Sequence, residues 1–411
     1  MNIRIQTGSV SMDRVGKALL FFSILPEKNE YLARLDSLQW FALAMLTVLL
    51  WIRLYEKNAV LNDFIFFQMV LFLIFITVSL KWALSQERVL LDIRYLVKIL
   101  VVLSYALYVV KKDGNADFLI RAMIISSIVN AAMILPNIVP SASAVGRNDI
   151  MIADVLVNVN QVCPDLAFTS FLLLHDFKNS RQYLKKAVDL MMILVFAVLI
   201  CILGARTSLG ILAAGVFLNT LSGSRRKVIR NILAAIAAMA VFMAVILYVP
   251  ALYEAVGIRI MDFISMLMGH EYASTNQSSD HLRLQLIRNG FEMFWKKPLG
   301  GYGSGNYISA GFRDYDLYYY AHNNYIELAV GLGLAGLIIF YSLHVRILLR
   351  FFKTKAVFRD DRMYLAVQIL ICMLLADMTS VTYHVMNMWL FLLIAYAGIC
   401  LRSTVCDRHL Y

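Results

Sequence analysis

The sequence predicts an all-α polytopic membrane protein of about 12 transmembrane helices with one large extracytoplasmic loop. Three observations carry this. The 411-residue chain is 61% hydrophobic and only 16% charged, where soluble chains of this length carry about a quarter charged residues. Apolar runs recur along its whole length, and several exceed the roughly 17–20 residues that cross a bilayer. The basic residues sit in short clusters between those runs, at 224–230 and 350–362 for example, as the positive-inside rule describes for cytoplasmic loops. The net charge of +11 therefore points to a membrane face and not to nucleic acid.

Candidate spans lie near residues 15–25, 38–54, 62–84, 95–110, 117–139, 158–174, 187–203, 206–221, 231–249, 326–349, 363–382 and 385–401. The first is short, and the 187–221 run admits another split. Alternation from an inner N-terminus puts 53–61, 111–116, 175–186, 222–230, 350–362 and the C-terminus inside. With the N-terminal tail, these segments hold most of the Lys and Arg, while the outer connections near 26–37, 85–94 and 140–157 carry few. On this layout Arg225 and Lys353 lie inside and Ser278 outside. Residues 1–249 supply helices 1–9, and residues 326–411 supply helices 10–12. The first apolar run is followed by Pro26–Glu30 and not by a small-residue cleavage site, so no cleavable signal peptide is expected. The five cysteines (Cys163, Cys201, Cys372, Cys400 and Cys406) form no CxxC pair. They read as buried hydrophobes, with no disulfide framework or metal site.

Residues 250–325 break the rhythm with no convincing span. This outer loop holds a polar run (274–281), an amphipathic stretch (282–295) and the segment KKPLGGYGSGNY. A loop this long between packed helices is more often functional than idle. Its glycines at 300–305 match neither GxGxxG nor GxxxxGK[ST], so they read as a turn after Pro298 that can shape a pocket.

Candidate chemistry lies at the ends of apolar runs. Arg206 sits between two of them, where it either snorkels to the headgroups or lines an interior anion site. A guanidinium suits the second role because its fixed fork of donors matches phosphate oxygens. Arg283 and Arg288 lie on the amphipathic stretch and, taken alone, are ordinary surface arginines. Lys98 and Asp377 lie within spans, where helix-to-helix pairing accounts for them as well as function does. His322 precedes the helix starting near Tyr325. Asn323 or Asn324 can cap that helix, which leaves the histidine unexplained except as a group able to accept a proton near neutral pH. Gly331, Gly333 and Gly336 read as sites of close helix approach.

Three local matches carry a family resemblance. They are GARTSLGIL (204–212), HLRLQLIRNGFEMFWKKPLGGYGSGNY (281–307) and YAHNNYIELAVGLGLAGLIIFY (320–341), with NVNQ (158–161) a weaker fourth. Their order and spacing resemble the bacterial O-antigen polymerase and ligase superfamily, the Wzy and WaaL proteins. The matches span roughly 200–340, and the first 150 residues agree only in hydropathy.

The resemblance implies a multi-pass glycosyltransferase of the cytoplasmic (inner) membrane whose active site faces the periplasm or exterior. The donor it implies is a glycan on undecaprenyl pyrophosphate, handled without cofactor, nucleotide or metal. It makes His322, Arg206 and Arg283 the catalytic candidates, and Arg288, Asn323, Tyr320 and Glu327 substrate-binding candidates. The arginines would meet the charge gathering on the leaving pyrophosphate, and His322 would orient or deprotonate the acceptor hydroxyl. Its partners would be the lipid-linked glycan and membrane lipid, with a flippase and a chain-length regulator nearby. Polymerisation of O-antigen, capsular or exopolysaccharide repeat units is the expected activity. A ligase moving glycan to lipid A core is the alternative within the family. A flippase or transporter is the alternative outside it, which the lack of repeat symmetry between halves disfavours.

Overall fold

The computed structural model describes residues 7–25, 36–55, 62–140, 148–152, 155–221, 225–250, 253–258, 261, 277–353 and 361–401. The protein is mostly helical. Its helices are α1 (Thr7–Ile24), α2 (Asp36–Tyr55), α3 (Phe64–Ser79), α4 (Gln86–Asp113), α5 (Asp117–Ile134), α6 (Val159–Asn179), α7 (Tyr183–Ile202), α8 (Arg206–Thr220) and α9 (Arg225–Tyr248). They continue as α10 (Gln277–Lys296), α11 (Tyr307–Tyr315), α12 (Asn324–Lys353), α13 (Asp361–Ala376) and α14 (Met386–Tyr396), with a π-helical end at Ala397–Leu401. Each of the predicted apolar segments falls on one of these helices. By length and composition, Gln86–Asp113, Asp117–Asn137 and Asn324–Lys353 can cross a membrane, and Gln39–Ile52, Phe64–Ser79 and Met386–Leu401 are shorter apolar helices.

One core joins most of the bundle. It is built from Phe72 on α3, Tyr105 on α4, Phe168 on α6, Phe196 on α7 and Phe391 on α14, with many aliphatic neighbours. Burial of this kind is the main non-directional stabilisation where helix faces meet water, and dispersion replaces it where they meet lipid. Polar contacts join helix ends that the alternation assigns to the inner side. Lys111 Nζ lies 2.8 Å from Asp63 Oδ2, Tyr396 donates to Asp63 Oδ1 at 2.5 Å, and Lys17 reaches Asp113 at 2.8 Å. Lys98 is a pairing residue: its ammonium donates to Gln39 Oε1 at 3.0 Å and lies over the Trp40 ring. Among the described residues, Cys163, Cys201, Cys372 and Cys400 are free thiols, and Cys406 lies outside the described residues.

The structure departs from the all-α expectation at one connection. Ile138–Pro140 (β1), Asn148–Ile152 (β2) and Val155–Val157 (β3) form a three-stranded antiparallel sheet in the order β1-β2-β3. The physical reason is a period-2 pattern of aliphatic residues. Ile150, Ile152 and Val157 are buried, while Met151 and Leu156 face outward. The register pairs Ile138 with Ile150 and Ile150 with Val157.

A second departure concerns α12. Its ladder is interrupted at Gly333, whose φ of 66° and ψ of −166° are not helical. Gly331 and Gly333 were expected to admit a neighbouring helix. What they admit is the backbone of the glycine-rich loop. Tyr302 N–H donates to Val330 O at 2.9 Å, and Leu334 N–H donates to Pro298 O at 2.7 Å. A Cβ on Gly301 would overlap the carbonyls of Val330 and Gly331, and one on Gly333 would overlap the Leu299 carbonyl. Gly301, Gly303 and Gly305 have φ of 65°, 96° and 65°, a region that L side chains rarely adopt. These residues build a docked turn.

That turn belongs to a small folded unit within the large loop. Leu286 and Met293 of α10 pack with Tyr302, Tyr307, Ala310, Ala321, Ile326 and Val330 around their own core. Gly290 lies on the same face, where a Cβ would collide with Ile326. The expected amphipathic stretch is therefore a helix whose apolar face has a partner. Ser278 lies on α10, and residues 274–276 of the polar run lie outside the described residues.

Candidate active site

The large loop and the helix ends around it enclose a cavity of about 620 Å³. Its lining comes from the start of α4, the start of α6, the α7–α8 turn, α10, the glycine-rich turn, the start of α12 and the α13–α14 turn. The alternation puts all of these connections on one side of the bundle.

Arg206 is the first residue of α8, just after Gly204, whose φ of 64° makes the turn from α7. It lines the cavity with Thr207 and Ser208. A helix start presents backbone N–H groups with no intrahelical partner, so this corner combines a guanidinium with a helix N-terminus. Arg283, in the first part of α10, lines the cavity too. Order in the chain separates these residues widely, and the fold brings them together.

His322 enters through a tightly held turn. Its own φ is 51°, an uncommon conformation for a residue with a Cβ. Three anchors hold it. Asn323 Oδ1 accepts from Ile326 N–H at 3.0 Å, Glu327 Oε2 accepts from Ala321 N–H at 3.0 Å, and Asn324 N–H donates to Asp377 O at 2.7 Å. The imidazole packs on the Tyr320 ring at a centroid distance of 3.8 Å. Burial, and then the nearby Arg283 charge, push its pKa down to about 4. It is neutral at any ordinary working pH.

The predicted residues thus divide. Arg206, Arg283, Tyr320, His322 and Glu327 line one cavity. Asn323 does not. Its Oδ1 caps α12, and its amide donates to Met378 O at 3.0 Å, so both ends are committed to backbone. Arg288 is also absent from the lining. Its side chain is 84% exposed and pairs along the helix with Glu292 at 3.6 Å, because the buried face of α10 is the one bearing Leu286, Asn289 and Met293. Asn324 is fully buried and accepts from Thr382 and Tyr383 N–H at 2.9 and 3.1 Å. Asp377 accepts from Tyr341 at 2.8 Å and from Thr382, so it holds the α13–α14 turn against α12.

Sequence reasoning missed several lining residues. Arg88 donates to Tyr318 at 2.7 Å and lines the cavity. Asp92, Tyr95, Tyr383 and His384 line it as well. The available signal was the charges Glu87, Arg88, Asp92 and Arg94, in a segment read as an outer connection near 85–94. Helix α4 instead starts at Gln86 and carries Arg88 and Asp92 into the site. Asn158, Asn160 and Gln161, from the weakest of the quoted motifs, also face the cavity.

Comparison with known proteins gives one family match. No curated protein matches the chain. Residues 190–341 match the profile of a family described as O-antigen ligase. That segment runs from α7 through the large loop into α12 and holds Arg206, Arg283 and His322. Over residues 190–341 the chain is similar to this family, which supports the O-antigen polymerase and ligase superfamily.

Proposed function

We propose that this protein is a membrane glycosyltransferase that joins undecaprenyl-pyrophosphate-linked repeat units into a polysaccharide at the outer face of the cytoplasmic membrane. The observation that carries the reading is the convergence of Arg206, Arg283 and His322, from three separate segments, on one cavity. The family match over residues 190–341 supports a lipid-linked glycan as substrate. The alternation of basic clusters supports twelve spans with the cavity outside.

In this reading the acceptor hydroxyl attacks the anomeric carbon while the glycosyl–pyrophosphate bond breaks. Negative charge gathers on the departing pyrophosphate. Arg206 and Arg283 are positioned cations for it, and fixed charges matched to developing charge lower a barrier more than groups that must reorganise. The α8 N-terminus adds the partial positive charge of its backbone N–H groups. His322, neutral and beside Arg283, orients the reacting groups through its ring nitrogens. Tyr320 fixes the imidazole plane. The 620 Å³ cavity holds the reacting sugars and pyrophosphate, and the lipid tail stays in the bilayer.

The lean to polymerase rests on the resemblance of residues 320–336, while the description of the matched family favours a ligase. The same variant separates the two. In cells making the matching lipid-linked repeat, His322→Ala gives a surface glycan of one repeat unit if the protein is a polymerase. Long chains stranded on the carrier lipid would make it a ligase. A normal ladder would refute the site.

A further inference from the structure

The cavity contains a second histidine in a different setting from the first. His384 lies in the α13–α14 turn, and its Nδ1 is 3.9 Å from Asp92 Oδ1. The Nδ1 atom is buried and has no hydrogen-bond partner among the described residues. The side chain is nevertheless 34% exposed and lines the cavity. The ring stacks on Tyr95 at 5.9 Å and meets Tyr383 edge-on at 4.7 Å.

Asp92 is buried and fixed. Its Oδ2 accepts from Ser304 Oγ at 2.6 Å and from Tyr383 OH at 2.5 Å, leaving Oδ1 turned to the imidazole. Ser304 comes from the glycine-rich turn and Tyr383 from the α13–α14 turn, so docking of the large loop helps to orient this carboxylate. A carboxylate behind one ring nitrogen orients the ring and stabilises the imidazolium formed when the other nitrogen takes a proton. The setting of His322 differs. Its charged neighbour is Arg283, which opposes protonation.

We infer that His384, backed by Asp92, is the group that takes the proton from the acceptor hydroxyl, and that the surface around His384, Tyr95 and Asp92 is the subsite for the acceptor sugar. This rests on the glycosyl-transfer reading above and divides its labour. The hydroxyl oxygen bonds to the anomeric carbon, and the bond from that carbon to the pyrophosphate oxygen breaks, its electron pair leaving with the pyrophosphate. The hydroxyl proton passes to His384 Nε2, and the imidazolium returns it to solvent. Tyr95 offers a ring face for a sugar to pack on, and the Asp92 carboxylate, 3.9 Å from Nδ1, favours the imidazolium through its charge. Asp92 is a positioning residue here, and His384 is the catalytic one.

The test uses the full-length protein in lipid nanodiscs. Donor binding is read with undecaprenyl pyrophosphate. Single-turnover transfer is read with lipid-linked repeat units extracted from cells lacking this protein. His384→Gln keeps a polar side chain of similar reach and cannot act as a base. Its transfer rate is expected to fall at least 100-fold, within the range of a lost general base, with carrier affinity within twofold of wild type. Asp92→Asn keeps acceptors for Ser304 and Tyr383 and is expected to slow transfer at least 10-fold, again without weakening carrier binding. A His384→Gln rate within threefold of wild type would overturn the inference. So would a loss falling equally on carrier binding. In either case Arg206→Ala, run alongside, separates the two claims: if it abolishes transfer, the glycosyl-transfer reading stands without His384. Wild-type protein that transfers nothing would overturn both.

Discussion

Two parts of the cavity lining differ in how they are built. One comes from residues 203–208, 283 and 320–327 and presents Arg206, Arg283 and His322. The other comes from 88–95 and 379–385 and presents Arg88, Asp92, Tyr383 and His384. In the first, two arginines and a neutral imidazole face the cavity, and the Glu327 carboxyl accepts from Ala321 N–H. In the second, a buried carboxylate stands behind a histidine. The difference suggests a division between holding the pyrophosphate and handling the acceptor, and each variant below probes one part.

The largest effect is expected at Arg206. Arg206→Ala should lower transfer about 10²–10³-fold, the scale seen when a donor to developing negative charge is lost. Arg206→Lys should rescue little of this, because an ammonium lacks the bidentate fork. Both should insert and accumulate normally, as a blot of the membrane fraction would check. Full activity in Arg206→Lys would turn this residue back into a snorkelling arginine.

Next comes the joint between the two parts. Gly301→Ala places a Cβ against the Val330 and Gly331 carbonyls at a φ of 65°. Strain of this kind costs on the order of 1–3 kcal/mol. Since Ser304 in the same turn donates to Asp92, the variant should lose transfer and should also expose the large loop to protease. Unchanged proteolysis would mean that the turn is not docked as described.

A smaller effect is expected from pH. His322 has a folded pKa of about 4, below its ordinary 6.5. Between those values the unfolded chain binds a proton that the folded protein does not, so this group makes stability fall as pH drops through that window. His322→Gln removes the contribution, and its melting temperature should fall less than that of wild type between pH 6.5 and 4.5. Parallel curves would show that the imidazole is not held neutral.

The smallest effects belong to residues that the cavity leaves out. Asn323→Ala loses a cap worth about 1 kcal/mol and should keep transfer within threefold. Arg288→Ala, at an 84% exposed side chain, should change nothing measurable.

Legibility in the sequence follows the same divide. Arg206, Arg283 and His322 each sit inside a short local pattern, so they could be read from neighbours along the chain. Asp92 and Tyr383 are 291 residues apart and meet only after folding. Asp92 was also hidden by hydropathy, which trims a helix where charges begin, although α4 runs on to Gln86 with Arg88 and Asp92 facing a cavity. The helices themselves were readable because apolar runs of span length have few other stable forms. The break at Gly333 was not, since it depends on a loop docking some thirty residues upstream.

The most direct test of the central claim is transfer by the purified protein alone. Reconstituted in nanodiscs with extracted lipid-linked repeat units and EDTA, and without nucleotide or ion gradient, the wild type should yield a ladder of longer glycans still bound to the carrier. Arg206→Ala should yield none. A ladder of equal length from Arg206→Ala, or no elongation by the wild type, would contradict the account.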